Sequence, residues 1–162
     1  MGEPSVVAAP PRRLRLIVTV GVLVLALDQL TKWWAVDNLS DGHIVDVIGS
    51  LRFLLTHNTG AAFSMGSGRS LGPWISVMAL VVVVVLSLGA TARQLGGAVA
   101  AGLVAGGAIG NLVDRAFRGD QGFLHGAVID FIDLQWWPVF NVADAAVVCG
   151  ALLLVVAGLR AP

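Results

Sequence analysis

Long apolar runs, interrupted by a few polar positions, dominate the chain. Four runs can cross a bilayer core at about 1.5 Å per residue. They cover about residues 14–36, 73–90, 95–113 and 139–159. In the third, Gly102, Gly106 and Gly110 recur every fourth residue, with Gly107 and Ala108 between them. A small-residue face of this kind lets helix backbones approach closely. An outer loop, residues 37–72, separates the first two runs and is long for so small a protein. Within it Val45 and Val47, then Leu51, Phe53 and Leu55, alternate around Gly49-Ser50. That pattern predicts a β-hairpin with one apolar face, which rests on lipid, on a bound apolar chain or on the helix ends. The pattern as a whole predicts an all-α membrane protein, a single domain over residues 1–162 with four transmembrane helices.

Composition supports this reading and removes others. Of 162 residues, 57% are hydrophobic and 12% charged, and the mean hydropathy is +0.86. A soluble domain of this size could not bury so much apolar surface. Net charge is zero, with no basic tract, so nucleic acid has no electrostatic foothold. The single cysteine, Cys149, forms no internal disulfide and is expected to be a small buried apolar residue. Arg12, Arg13 and Arg15 place the N-terminus in the cytoplasm, and four crossings return the C-terminus there. The first run continues past Leu27 through Asp28 and Lys32 without an A-x-A-like cleavage site, so it is read as a retained span rather than a cleaved leader. Trp33, Trp34, Trp74, Trp136 and Trp137 all fall at predicted outer ends, as an interfacial belt does.

The polar residues gather at that same outer level. Asp28 lies roughly two-thirds of the way along the first span, with Lys32 one helical turn on. The third span ends with Asn111, Asp114 and Arg115, and the fourth begins with Asn141 and Asp144. Asp130 lies in the outer loop before the fourth. Acids near membrane depth are costly and mark function, and convergence from separate segments is what a site looks like. His43, His57 and His125 form no triad motif and have no metal-ligand spacing, so no metal and no cofactor is expected. Two carboxylates sharing one proton remain. One activates water and the other donates to a peptide carbonyl. Residue types alone do not choose the pair. Asp114 beside Arg115 and Asp28 with Lys32 suit ionised structural roles, which favours Asp130 and Asp144, with Asp133 a further candidate. A proton relay or transporter is the competing class, disfavoured because the inner half of the spans is nearly uncharged.

Five motifs in order carry a resemblance across nearly the whole chain. They are Asp28-Gln29 with Lys32, residues 58–63 (NTGAAF), residues 106–115 (GGAIGNLVDR), residues 128–131 (VIDF) and residues 140–144 (FNVAD). The chain resembles lipoprotein signal peptidase (signal peptidase II). The resemblance implies a bacterial inner-membrane aspartic endopeptidase with four transmembrane helices and an extracytoplasmic β-cradle. Its partners would be membrane lipid and prolipoproteins, cut just before a diacylglyceryl-modified cysteine, and a globomycin-type inhibitor would bind at the dyad. The implied dyad is Asp130 and Asp144. The implied supporting shell is Asp28, Lys32, Asn58, Gly110, Asn111, Asp114, Arg115 and Asn141. The loop 116–127, with Asp120, Gln121 and His125, is longer than in many members and is a candidate lid.

Overall fold

Helix α1 (Leu14–Leu39) has its polarity turned inward. Its buried residues, Ile17, Asp28, Lys32, Ala35 and Leu39, share one face and include two charges. Val18, Val22, Leu23, Leu27, Leu30 and Trp33 are exposed on the remainder. Water would penalise such a surface, whereas lipid tails are as apolar as Leu. The structure, a computed structural model, describes residues 13–59, 78, 81, 93–119, 124 and 126–159. Two further helices follow, α2 (Leu95–Phe117) and α3 (Val142–Leu159). Helices α1 and α2 are each long and apolar enough to cross a membrane. Apart from Met78 and Val81, the expected span 73–90 lies outside the described residues.

The glycines of α2 serve both neighbours. A Cβ at Gly102 would fall 2.8 Å from the Ile17 carbonyl oxygen, and one at Gly106 would fall 2.5 Å from that of Gly21. Both contacts are with α1. A Cβ at Gly107 would collide with the Ala143 carbonyl of α3. Only bare backbone lets α2 pack this closely between its two partners.

Outside the bundle lies a three-stranded antiparallel sheet of order β1-β2-β3. Strands β1 (Val45–Ile48) and β2 (Leu51–Asn58) form the expected hairpin. Gly49, at φ +57°, occupies the turn position that needs a left-handed residue. The expected apolar face is corrected at one position. A bulge between Asp46 and Ile48 breaks the alternation, and Val47 is exposed with Ile48. Val45, Phe53 and Leu55 instead pack on Ala35, Leu39 and Phe131. Of the surfaces considered for this face, they rest on a helix end, the C-terminal end of α1. Strand β3 (Val128–Asp133) corrects the placement of Asp130 in a loop. It pairs with β2 so that Asp130 lies opposite Thr56. Its sequence, VIDFID, repeats every three residues rather than every two, which hides a strand from a search for alternation. Cys149 also departs from expectation and is exposed. Helix α3 is apolar on all sides, so periodicity cannot say which face is covered.

Candidate active site

The buried centre is an ionic knot built by α1 and α2. Lys32 has no solvent exposure, and its ammonium has three donors to place. They go to Asp28 Oδ2 at 2.8 Å, Asp114 Oδ2 at 2.8 Å and Asn111 Oδ1 at 3.0 Å. The spacing Asp28-Lys32 puts that pair on one face of α1. The expected partner of Asp114, Arg115, is not the one found. Consecutive helical residues point about 100° apart, and Asp114 takes Lys32 and Arg118, the latter with Nε 2.8 Å from Asp114 Oδ1. Gln29 adds a cross-link from α1 to α2, donating to Asp28 Oδ2, the Gly110 carbonyl and Asp114 Oδ1. Gly110 is part of this centre. A Cβ there would fall 2.5 Å from Asp28 Oδ2, so its missing side chain is the space the carboxylate occupies.

The knot also fixes the start of α3. The first N–H groups of a helix have no partner within it. Asp28 Oδ1 accepts one of them, the Ala143 N–H, at 3.0 Å. Asn141 and Asp144 satisfy two more groups reciprocally. The Asp144 N–H donates to Asn141 Oδ1 at 2.9 Å, and the Asn141 N–H donates to Asp144 Oδ2 at 3.2 Å. This is a capping box with Asp in the place of the usual Glu. It locks the Asp144 side chain in position, at the positive end of the helix dipole.

Asp130 approaches from the sheet and is 2% exposed. Asn141 Nδ2 donates to its Oδ1 at 2.7 Å, and Asn58 Nδ2 donates to its Oδ2 at 2.9 Å. Asn111 Nδ2 donates to Asp144 Oδ1 at 2.8 Å. One residue, Asn141, therefore touches both acids. Among the described residues, neither acid has a cation in bonding contact, whereas Asp28, Asp114 and Asp133 all do. Burial raises the Asp130 carboxyl from 3.8 to about 6. The Asn58 hydrogen bond opposes that rise, and the charge of Asp144 adds to it. Asp133 goes the other way, held low by the Gln135 N–H and by Arg52. An acid already committed to Arg52 at 2.6 Å is not free to share a proton, which removes it from the candidates. Arg115 is 7% exposed and lies within electrostatic reach of Asp130, Asp114 and Asp144.

All eight expected supporting residues border this centre, and sequence reasoning gave no role to two that belong with them. Arg118 was legible as a partner one turn after Asp114. Gln29 carried no signal beyond its place beside Asp28. Among the described residues, no three His, Cys, Asp or Glu side chains gather as a metal-ligand set. The 116–127 loop is described only in part, and there the Gly126 N–H closes the end of α2 on the Arg115 carbonyl.

The profile of the family described as Signal peptidase (SPase) II matches residues 20–160. The chain belongs to the signal peptidase II family. Its relatives include the lipoprotein signal peptidase of Rhodococcus jostii, 50% identical over 158 residues, covering 92% of this chain and 77% of that one. The lipoprotein signal peptidase of Mycobacterium tuberculosis is 47% identical over 158 residues, covering 96% and 76%. A solved bacterial membrane enzyme superposes with a TM-score of 0.79 at 27% identity, covering 96% of this chain and 99% of that one. Signal peptidase II enzymes are peptidases of the aspartic type, the chemistry to which a pair of carboxylates without cation partners is suited. The exposed apolar faces of α1 and α3 fit the membrane setting of that solved enzyme.

Proposed function

We propose that Asp130 and Asp144 are the catalytic pair of a membrane aspartic endopeptidase that removes signal peptides from diacylglyceryl-modified prolipoproteins, cutting just before the lipidated cysteine. The observation that carries this is the bridge through Asn141, which joins the two acids by neutral amide contacts alone. Asp130, the more deeply buried, holds the shared proton in the resting pair. Asp144, at the helix N-terminus, is the charged partner. It takes a proton from water as the water oxygen adds to the scissile carbonyl carbon. Asp130 protonates the carbonyl oxygen. On collapse of the tetrahedral intermediate the C–N bond breaks, the leaving nitrogen receives the proton held by Asp144, and the hydroxyl formed from the carbonyl oxygen returns its proton to Asp130. Asn58, Asn111 and Asn141 keep the two carboxyls in register. Lys32, Asp28 and Asp114 hold the backbone beneath them, with Gly110 leaving the space and Arg115 supplying positive potential nearby.

In this reading the chain crosses the inner membrane four times with both termini in the cytoplasm. The acids lie at the outer surface, where an acyl-anchored cysteine presents its preceding peptide bond. A globomycin-type inhibitor would occupy the same pair.

The test is cleavage of a diacylglyceryl-modified prolipoprotein by the purified chain, beside Asp130→Asn and Asp144→Asn. Cleavage by the parent should be lost in both folded variants. Cleavage that survives in Asp130→Asn and disappears in Asp114→Asn would move the pair to Asp114 and Asp144. A well-folded parent with no activity would return the intramembrane acids to a proton-relay role.

A further inference from the structure

The segment joining the two aspartates, residues 134–139, is exposed over 135–138 yet tightly held. Its ends are pinned together. The Phe140 N–H donates to the Ile132 carbonyl at 3.0 Å, and the Ile132 N–H returns to the Phe140 carbonyl at 2.9 Å. Gln135 takes φ +67°, a conformation few residues with a side chain adopt. Two bonds keep it there. Its N–H donates to Asp133 Oδ1 at 2.7 Å, and its side-chain amide donates to the Ser50 carbonyl in the β1–β2 turn at 3.1 Å. Arg52 in turn fixes Asp133. This clamp presents Trp136 and Trp137, which meet edge to face at 6.3 Å and are 72% and 57% exposed.

Two bare indoles on a restrained backbone form a surface that water disfavours. They also sit where a bilayer would meet them. The chain passes within a few residues into α3, whose Val148, Leu152 and Val155 are exposed, and Trp33 is exposed on α1. An indole combines an apolar body with one N–H donor, which suits the headgroup boundary.

We propose that the Trp136–Trp137 loop is an interfacial anchor that seats in the outer phospholipid surface and sets the height of the catalytic pair above the acyl chains. The proposal rests on the peptidase reading for what it positions, not for whether it binds lipid. The connection is stiff at both ends. Asp130 lies two residues before the pinned Ile132, and Asp144 lies four after Phe140 and is locked by its own cap. Depth fixed at the indoles is therefore passed to both acids.

The full chain and Trp136→Phe/Trp137→Phe are reconstituted in vesicles of phosphatidylcholine and phosphatidylglycerol brominated near the headgroup or near the chain end. The emission difference between the two proteins isolates the loop from the other tryptophans. That difference should be quenched about twofold more by the shallow bromine than by the deep one, as for indoles at the headgroup level. Emission indifferent to both bromines, or quenched only after substrate is added, would overturn the anchor, the latter by assigning the loop to substrate. In the same vesicles Trp136→Gln/Trp137→Gln should lower kcat/KM for a lipidated substrate about tenfold, mainly through KM, while the Phe pair retains most activity. Unchanged kinetics in the folded Gln pair would overturn the positioning role. Quenching needs no turnover, so failure of the anchor and failure of the peptidase reading are told apart.

Discussion

Replacing Asp130 by Asn probes the chemistry and the electrostatics of the pair together. Burial lifts the Asp130 carboxyl from 3.8 to about 6. An acid whose pKa is raised by folding binds its proton more tightly in the folded chain than in the unfolded one. Below the unfolded value, near pH 4, both states are protonated and there is no penalty. As pH rises through about 6 stability is lost, reaching on the order of 3 kcal/mol at neutral pH. Asn escapes that loss because it cannot ionise. It brings a separate penalty. Asn58 and Asn141 both donate to the Asp130 carboxylate, and an amide offers one acceptor oxygen for those two donors. That mismatch costs about 1–3 kcal/mol at every pH. The stability difference between Asp130→Asn and the parent should therefore shift by roughly 3 kcal/mol in the variant's favour between about pH 3 and pH 7, whatever its starting offset. Reversible unfolding in mixed detergent micelles, followed by circular dichroism across that range, measures the shift. Cleavage in the same samples should fall by about 10²–10⁴-fold. A difference that stays flat, or that moves toward the parent as pH rises, would refute the assignment of a high-affinity proton to Asp130.

The same unfolding assay should register Lys32→Met. Its two carboxylate partners each lie 2.8 Å from Nζ, so they are at most twice that distance apart. Unscreened, they repel by about 3 kcal/mol at an effective dielectric of 20, within the roughly 3–5 kcal/mol typical of a broken buried pair. Adding Asp28→Asn should recover at least half of that loss, and strict additivity of the two changes would contradict the charge balance described. Gly110→Ala should cost about 1–3 kcal/mol by crowding Asp28, whereas Gly96→Ala, where a Cβ meets nothing within 4 Å, should stay within about 0.5 kcal/mol; equal effects at both sites would remove the special role of Gly110. Asn58→Ala removes a hydrogen bond that lowers the Asp130 pKa, so the alkaline limb of kcat/KM should move to higher pH, and a downward move would count against Asp130 as the acid.

The apolar runs reveal α1, α2 and α3 because a bilayer demands continuous hydrophobicity, and the ends agree to within a few residues. The Gly49-Ser50 turn reveals the hairpin because few turns tolerate a different residue there. Strand β3 was hidden because it is short, carries two acids and owes its extended form to its partner β2 rather than to alternation. Sequence neighbours misled at Asp114, where Arg115 points to a different face from Arg118. Asp130 and Asp144 were legible as acids without a nearby cation. Their link through Asn141 was not, since it joins a strand edge to a helix cap and depends on tertiary placement alone.

The cap on α3 has a consequence for biosynthesis. Asp28 reaches across 115 positions to hold the Ala143 N–H, and Asp144 is oriented by the same helix terminus that Asp28 secures. A growing chain with only α1 and α2 in place has the residues of the buried knot but neither Asp130 nor Asp144. Emergence of the last segment both completes the bundle and delivers the second acid. With the proposed pair of Asp130 and Asp144, proteolytic competence would be deferred to the end of insertion.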